Sequence, residues 1–432
     1  MSQSRASGLV VAVISVCTLQ VSAQEAPAQP AATLKNVTVS GSQRFTPEQV
    51  AAAGGLEVGK PVTREQMQVA ADELGRLGLF SSVQYQFRSY LDGVTLEFEL
   101  KDAPLLPVHF DNFPWFTDAE LTAKLKESVV LFNGAAPSLG IILGDMTKAL
   151  ERTLAEKGIT AKVERQVIAR PTGDGDMVMF TVAGASLKIA GFSFQYPIAA
   201  DSRQIATAKQ AMLGKDYSRY AVEMFLMEQV RPVYLERGHL RVEFGKPRAT
   251  FTGDPNKPLG DVTVAVPIEP GPVFQWGGAT WTGNSVIRAP ELDTLLQLTA
   301  GQPASGLRIE GAWQRVEEEY GRRGYLDVQV SAEPSYDDAA QRVSYRVQIT
   351  EGPQYRMGEL VITGLSVVAE RKIRDAWTPA KGAVFNRAYF EEFVESGVKK
   401  AFEDYVVHYE KLGRWLRTNP QTRVVDVLLD FQ

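Results

Sequence analysis

Cysteine is almost missing from this chain: the single residue, Cys17, lies in an apolar N-terminal stretch that has the features of a cleaved leader. With the leader removed no thiol remains, which excludes disulfides, thiolate nucleophiles and cysteine-held metals. Histidine is nearly as scarce. His109, His239 and His408 stand far apart and in no paired spacing such as H-E-x-x-H, so each is expected to be structural or on the surface. Beyond the N-terminus there is no apolar run of the roughly 20 residues that a membrane-spanning helix needs, so no transmembrane segment is expected in the mature chain. The net charge of −5 provides no basic excess, so no nucleic-acid partner is expected.

Catalytic signatures are equally thin. The chain has neither a P-loop nor a dinucleotide fingerprint. Asp174-Gly175-Asp176 begins like a calcium loop but lacks the later acidic ligands, and so reads as a tight turn between strands. Gly191-Phe192-Ser193-Phe194-Gln195 lacks the closing glycine of a nucleophile elbow. No catalytic residue, cofactor or metal is expected, and the chain is read as a non-enzyme.

What is present is globular material, 44% apolar and 22% charged, behind an export signal. Arg5 supplies the positive start, Gly8 to Val21 the apolar stretch, and Val21-Ser22-Ala23 a small-residue cleavage site before Gln24. A lipoprotein processed at Cys17 is disfavoured because Val16 occupies the position that requires a very small residue. Residues 1–23 are therefore expected to be a signal peptide and 24–33 a flexible Ala/Pro/Gln-rich lead-in, placing the mature protein in an exported, periplasmic compartment, with association to an outer membrane left open.

From there a small unit recurs: a short strand ending in glycine, two amphipathic helices, a break, and two further strands. In the first unit Val37 and Val39 alternate into Gly41, Thr46-Pro47-Glu48-Gln49 and Thr63-Arg64-Glu65-Gln66 are helix starts with capping-box spacing, and Met67, Ala70, Ala71, Leu74 and Leu77 form a helical stripe. Strands carrying Val83, Tyr85 and Phe87, then Val94, Leu96, Phe98 and Leu100, close it. Asn112 stands in the second unit where the first has glycine, and Thr117 to Glu120 repeats the capping box. The breaks are Leu77-Gly78-Leu79, Lys157-Gly158-Ile159, Arg237-Gly238-His239 and Arg323-Gly324-Tyr325; the fifth unit has only Tyr405 there, without a glycine. Pro232 is expected to kink or restart the third unit's long helix. Trp115, Phe116, Trp276 and Trp281 are expected to pack rather than to form exposed patches.

The units fall at residues 34–102, 104–184, 185–271, 272–353 and 354–432. Residues 322–328 (Arg-Arg-Gly-Tyr-Leu-Asp-Val), 349–353 (Ile-Thr-Glu-Gly-Pro) and 360–364 (Leu-Val-Ile-Thr-Gly) carry a pattern that resembles the POTRA, or polypeptide-transport-associated, domain. Five in series resemble the periplasmic part of the outer-membrane barrel-assembly family. Those proteins continue into a β-barrel whereas this chain stops at Gln432, which leaves open a barrel absent by nature or a trimmed chain.

The resemblance implies an α+β fold of five tandem β-α-α-β-β domains, each a three-stranded sheet covered by two helices. It implies a periplasmic polypeptide-binding scaffold or chaperone-like component in outer-membrane protein assembly or secretion, acting by β-strand augmentation. Its partners would be unfolded outer-membrane or secreted polypeptides and envelope proteins, including a separate outer-membrane barrel. The alternative is a spacer that positions such a barrel or a cell-division complex. It also implies that the second strand of each unit is the exposed edge, about residues 82–88, 160–168, 240–246, 326–332 and 406–415. The candidate peptide-binding residues are Val83, Gln84, Tyr85, Gln86, Val163, Val242, Phe244, Val328, Gln329 and Val330, with Pro247 as a device that blunts the third edge.

Overall fold

The computed structural model describes residues 31–195 and 203–432. The leader expected over residues 1–23, with Cys17, and residues 24–30 of the lead-in lie outside these; Ala32 and Thr33, expected in the lead-in, belong instead to the first strand, where they pair with Val62 and Pro61. The described residues divide into two compact units, one holding those up to Val108 together with Leu121–Leu150, the other His109–Glu120 together with those from Glu151 to Gln432.

The first unit opens with strand β1 (Ala32–Ser40), helix α1 (Pro47–Ala53), the two-residue strand β2 (Pro61–Val62), helix α2 (Arg64–Arg76), and strands β3 (Phe80–Tyr90) and β4 (Gly93–Asp102). Both helices start where the sequence predicts. Thr46 and Thr63 each accept from the N–H three residues on, and Gln49 and Gln66 each reach back to the cap N–H at 2.9 Å. β4 is central, parallel to β1 on one side and antiparallel to β3 on the other. The period-2 pattern turns Leu96, Phe98 and Leu100 inward against Met67, Ala70 and Leu74 of α2, all buried. Burying an aliphatic or aromatic side chain of this size stabilises by roughly 1.5–3 kcal/mol, so this shared face holds the helices to the sheet. The expected three-stranded sheet gains a fourth member, because β2 pairs with the start of β1.

The next elements run through both units. Strand β5 (Leu106–Phe110), helix α3 (Asp118–Ser128) and helix α4 (Ile142–Glu156) each contain a unit boundary, and the two-residue strand β6 (Ala135–Ala136) lies within the first unit. In the first unit Leu106 and Pro107 pair with Ala136 and Ala135. In the second, the Asp111 N–H donates to the Phe180 carbonyl, while the Asn112 side chain donates to the Val182 carbonyl and accepts from its N–H. Asn112 thus does with two side-chain hydrogen bonds what a glycine does by close approach at the matching turns.

The second unit continues with β7 (Val163–Ala169) and β8 (Asp176–Val182), joined by the tight turn foreseen at Asp174-Gly175-Asp176, where the Arg170 N–H donates to the Gly175 carbonyl. Then come β9 (Ser186–Phe194), α5 (Arg203–Met212), α6 (Arg219–Phe225), a π-helical turn (Leu226–Val230), α7 (Arg231–Glu236), β10 (Glu243–Phe244), β11 (Arg248–Gly253), β12 (Leu259–Val266) and β13 (Ile268–Glu269). Pro232 sits in the first turn of α7, where its missing N–H costs least. The π turn just before it re-registers the helix, so the proline restarts rather than ends it.

Two more copies of the pattern follow. One comprises β14 (Gln275–Thr282), α8 (Ala289–Leu296), α9 (Gly306–Arg322), β15 (Gln329–Asp337) and β16 (Arg342–Thr350). The other comprises β17 (Arg356–Thr363), α10 (Val367–Ala376), α11 (Arg387–Glu392), a π turn (Phe393–Gly397), α12 (Val398–Ala401), β18 (Leu412–Asn419) and β19 (Val424–Phe431). In both, the last strand is central, parallel to the first and antiparallel to the second. Each copy has its own buried cluster, one around Ile309, Val316, Tyr320 and Val347, the other around Ile373, Phe390, Phe393 and Val427. The architecture is α+β throughout.

Candidate functional site

In every sheet of this pattern the second of the three main strands lies at an edge: β3, β7, β11, β15 and β18. An edge strand presents a row of N–H and C=O groups without sheet partners, the element to which an extended polypeptide can add. These edges differ in how far they are blunted.

β3 is the longest and contains no proline. Val83, Gln84, Tyr85 and Gln86 all lie on it, opposite Leu100, Glu99, Phe98 and Glu97 of β4. The side chains alternate: Tyr85 packs toward Phe98 and donates to Gln68 of α2 at 3.1 Å, whereas Gln86 on the open face donates to Glu97 at 2.8 Å. On β7, Val163 is the first residue, buried, its N–H donating to Glu151 at 3.2 Å. Gln329 and Val330 lie at the start of β15 and Val328 just before it, and Pro334, mid-strand, removes one donor from that edge.

Two expected edges are displaced. The third does not end at residue 246. Phe244 pairs with Ile268 in the short β10–β13 ladder, Val242 precedes that ladder, and both pack on the core of their segment. After Pro247 the chain resumes as β11 along β12. Pro267 interrupts the partner strand at the matching place, so both strands break together, the Gly245 N–H bridges to the Pro267 carbonyl at 2.9 Å, and pairing restarts. The fifth edge is not at 406–415 but at Leu412–Asn419. Without a break glycine the chain after α12 stays irregular, Val406 is exposed, and regular pairing starts at Leu412.

Pattern reading missed one feature of the fifth edge. On the open face of its sheet Val361, Leu428 and Trp415 lie in register across three strands, and Trp415 is 52% exposed. The same places in the preceding sheet hold Thr280, Arg346 and Glu333, the last two ion-paired at 3.5 Å. The apolar row emerges only when the register is known.

The segments in the second unit are joined in two ways. At Gly238, whose φ of +89° suits glycine, the carbonyl accepts from the Phe274 N–H at 2.9 Å, and the Phe274 carbonyl accepts from the Ala304 N–H at 2.8 Å. At Gly324, with φ of +83°, the carbonyl accepts from the Tyr355 N–H at 2.7 Å, and the Tyr355 carbonyl from the Phe385 N–H at 3.0 Å. Phe274 and Tyr355 are fully buried. Each is the aromatic that follows a Gly-Pro pair, so the "Arg-Gly" and "Gly-Pro-x-aromatic" motifs are two halves of one joint.

The joint that involves residues 109–118 uses charge instead. Asp111, 4% exposed, accepts from the Ser218 hydroxyl at 2.9 Å and the Tyr220 N–H at 2.8 Å. Asp118 takes Arg219 at 2.5 Å and Lys246 at 2.9 Å. Burial pushes the Asp118 carboxyl up, but the two cations outweigh it and hold it below the usual carboxylate range. Burial raises the Glu223 carboxyl beside it. His109 lies 3.7 Å from Asp111 and 4.0 Å from Glu223, His239 is buried with Nδ1 3.0 Å from the Gly271 carbonyl, and His408 is exposed. Trp115 packs on Phe251 at 5.5 Å and Phe116 lies under Lys157.

Residues 32–102 and 275–352 match the POTRA family model, described as a surface antigen variable number repeat. Over 205 residues, 47% of this chain, the sequence is 22% identical to a putative outer membrane protein assembly factor of Treponema pallidum, and the match spans 24% of that relative's length. Among solved structures, POTRA domains 3–5 of Haemophilus influenzae BamA align over 57% of this chain and 96% of that one, at 19% identity and a TM-score of 0.42. The N-terminal domain of Omp85 from Thermosynechococcus elongatus aligns over 75% and 99%, at 15% identity and a TM-score of 0.18.

Proposed function

We propose, for a chain that carries POTRA domains at residues 32–102 and 275–352, a periplasmic scaffold that holds extended polypeptides during outer-membrane protein assembly or secretion. The observation that carries this reading is the recurrent exposure of the second strand, above all β3, which is 11 residues long and free of proline. Addition to such an edge takes its affinity from backbone hydrogen bonds and so tolerates many sequences, which suits a handler of varied unfolded chains. Side chains add preference: on β18, Trp415 offers an aromatic surface to the cross-strand neighbour of an added strand. The named clients are unfolded outer-membrane or secreted polypeptides, with envelope proteins as stable partners. No catalytic step is assigned.

The test is cross-linking in cells. A photoreactive residue at Gln84 or Gln329 is expected to capture envelope polypeptides, and Val83→Pro or Ser89→Pro, at residues whose N–H groups face away from β4, to reduce capture at β3 while the protein stays folded. Unchanged capture in both proline variants would sink the reading for that edge.

A second reading, a spacer that positions a separately encoded barrel or a division complex, is favoured by the matched joints at Gly238 and Gly324, which set neighbouring segments by the same backbone hydrogen bonds. It predicts that deleting residues 272–353 shortens reach and leaves client capture at β3 intact.

A further inference from the structure

A cavity of about 380 Å³ opens where the 113–119 loop meets the start of edge strand β11. One wall is apolar, formed chiefly by Pro114, Phe116 and Pro247; the other holds Arg219, Lys246 and Arg248 around a single carboxylate, Asp118. Both oxygens of that carboxylate are occupied, Oδ1 by Arg219 and Oδ2 by Lys246. Among the lining residues three cations thus face one carboxylate, with Glu223, outside the lining, near enough to Arg219 and Lys246 to feel both charges; Arg248 makes no ion pair among the described residues, and Nε of Arg219, a residue 9% exposed, is buried without a hydrogen-bond partner. Arg248, exposed and without an ion pair, is the cation that an incoming anion would meet, with a charge-assisted hydrogen bond as the gain.

Position supplies the second half of the argument. Arg248 and Ala249 line the cavity and are also the first residues of β11, the edge strand of its sheet. A chain that adds along β11 therefore runs into the cavity at one end. We propose that this cavity receives a carboxylate of an extended polypeptide bound to β11, with Arg219, Lys246 and Arg248 facing the charge and the proline and phenylalanine wall covering the adjoining apolar atoms. The inference rests on the edge-addition reading and gives that edge a direction and a chemical preference: a strand carrying an acidic side chain or its own C-terminal carboxylate at the Arg248 end.

The experiment uses the full chain and one alternating Val/Thr ten-residue peptide in three fluorescent forms: free carboxylate at the C-terminus, amidated C-terminus, and amidated with a glutamate near that end. Anisotropy titration is expected to show one or both carboxylate-bearing forms binding about tenfold tighter than the neutral form, and the form that gains identifies the source. Lys246→Gln with Arg248→Gln, both on exposed side chains, is expected to remove that preference and leave the neutral peptide's affinity unchanged, which also shows that the surface remains folded. Equal binding of all three forms to the unaltered protein, or a preference that survives the double substitution, overturns the cavity assignment. Ala249→Pro, at a residue whose N–H faces away from β12, separates the two levels: weaker binding of all three forms keeps edge addition at β11 even if the cavity assignment has failed, whereas unchanged binding removes β11 as the track.

Discussion

Two joints hold their segments by opposite means, and their chemistry predicts how each fails. At Gly324 the fixed points are backbone groups and a buried aromatic: a left-handed glycine, a carbonyl that accepts the Tyr355 N–H, and a tyrosine ring with no exposure. At Asp118 they are charges, with one carboxylate shared by a buried arginine and an exposed lysine. The first is insensitive to mild acid and has no room for an added atom at Gly324; the second depends on ionisation. A chain of similar units can thus contain both stiff and titratable connections without changing its fold.

The largest expected effect comes from filling the stiff joint. In Gly324→Val a Cβ would lie 2.8 Å from the Tyr355 carbonyl oxygen at a backbone angle that L-residues avoid, so a loss of about 3–4 kcal/mol is expected, visible in calorimetry of the full chain. The matching glycine at position 158 provides the control. There a Cβ would meet only the Asn256 side chain, at 3.1 Å, which can move aside, so Gly158→Val should cost about 1–2 kcal/mol from backbone strain alone. Equal losses at the two sites would remove the distinction.

Next in size is the loss of the shared carboxylate. Asp118→Asn leaves Arg219 buried without its counter-charge, and a loss of about 2 kcal/mol is expected, read by hydrogen exchange at residues 217–222. The same joint should respond to acid. The folded pKa of Asp118 is depressed, so its contribution is present above the unfolded value of about 3.9 and disappears as pH falls through the lower folded value. Tyr355 behaves in the opposite sense: burial and then Asp327 raise its hydroxyl pKa, so its contribution is complete below the unfolded value of about 10 and is lost as pH rises through the folded one. Acid should loosen the Asp118 joint first and alkali the Tyr355 joint first. The reverse order in exchange rates would contradict the comparison.

The smallest effect belongs to the rim of the Gly238 joint. Arg241 lies 3.9 Å above the Tyr336 ring and pairs with Asp338 at 2.9 Å, both near the surface. Arg241→Ala should cost about 0.5–1 kcal/mol, with the ionic part fading in high salt.

These contrasts also show what a sequence displays. Alternation and capping are local, so β3, β4, α1 and α2 were readable to within a few residues. The ion pairs at Asp118 join residues 101 and 128 positions apart, and nothing nearby marks Arg219 or Lys246 as their partners. Pro247 was read as a device that blunts the end of the third edge, whereas the structure places it between β10 and β11, with Pro267 breaking the opposite strand so that the edge begins after it as β11. The two-residue strands at Pro61 and Ala135 are set by what they pair with and have no periodicity of their own. The "Arg-Gly" and "Gly-Pro" motifs were visible as strand markers, while their function as two halves of one joint depends on contacts about 30 residues apart, as between Gly324 and Tyr355.

The central claim is that extended polypeptides add to the sheet edges. Residue-resolved amide exchange of the full chain, with and without an alternating Val/Thr peptide, tests it most directly. The account predicts new protection along one or more of Phe80–Tyr90, Arg248–Gly253 and Leu412–Asn419, with the helices unchanged. Protection confined to α2, α9 or α10 while every edge strand exchanges as before would contradict it.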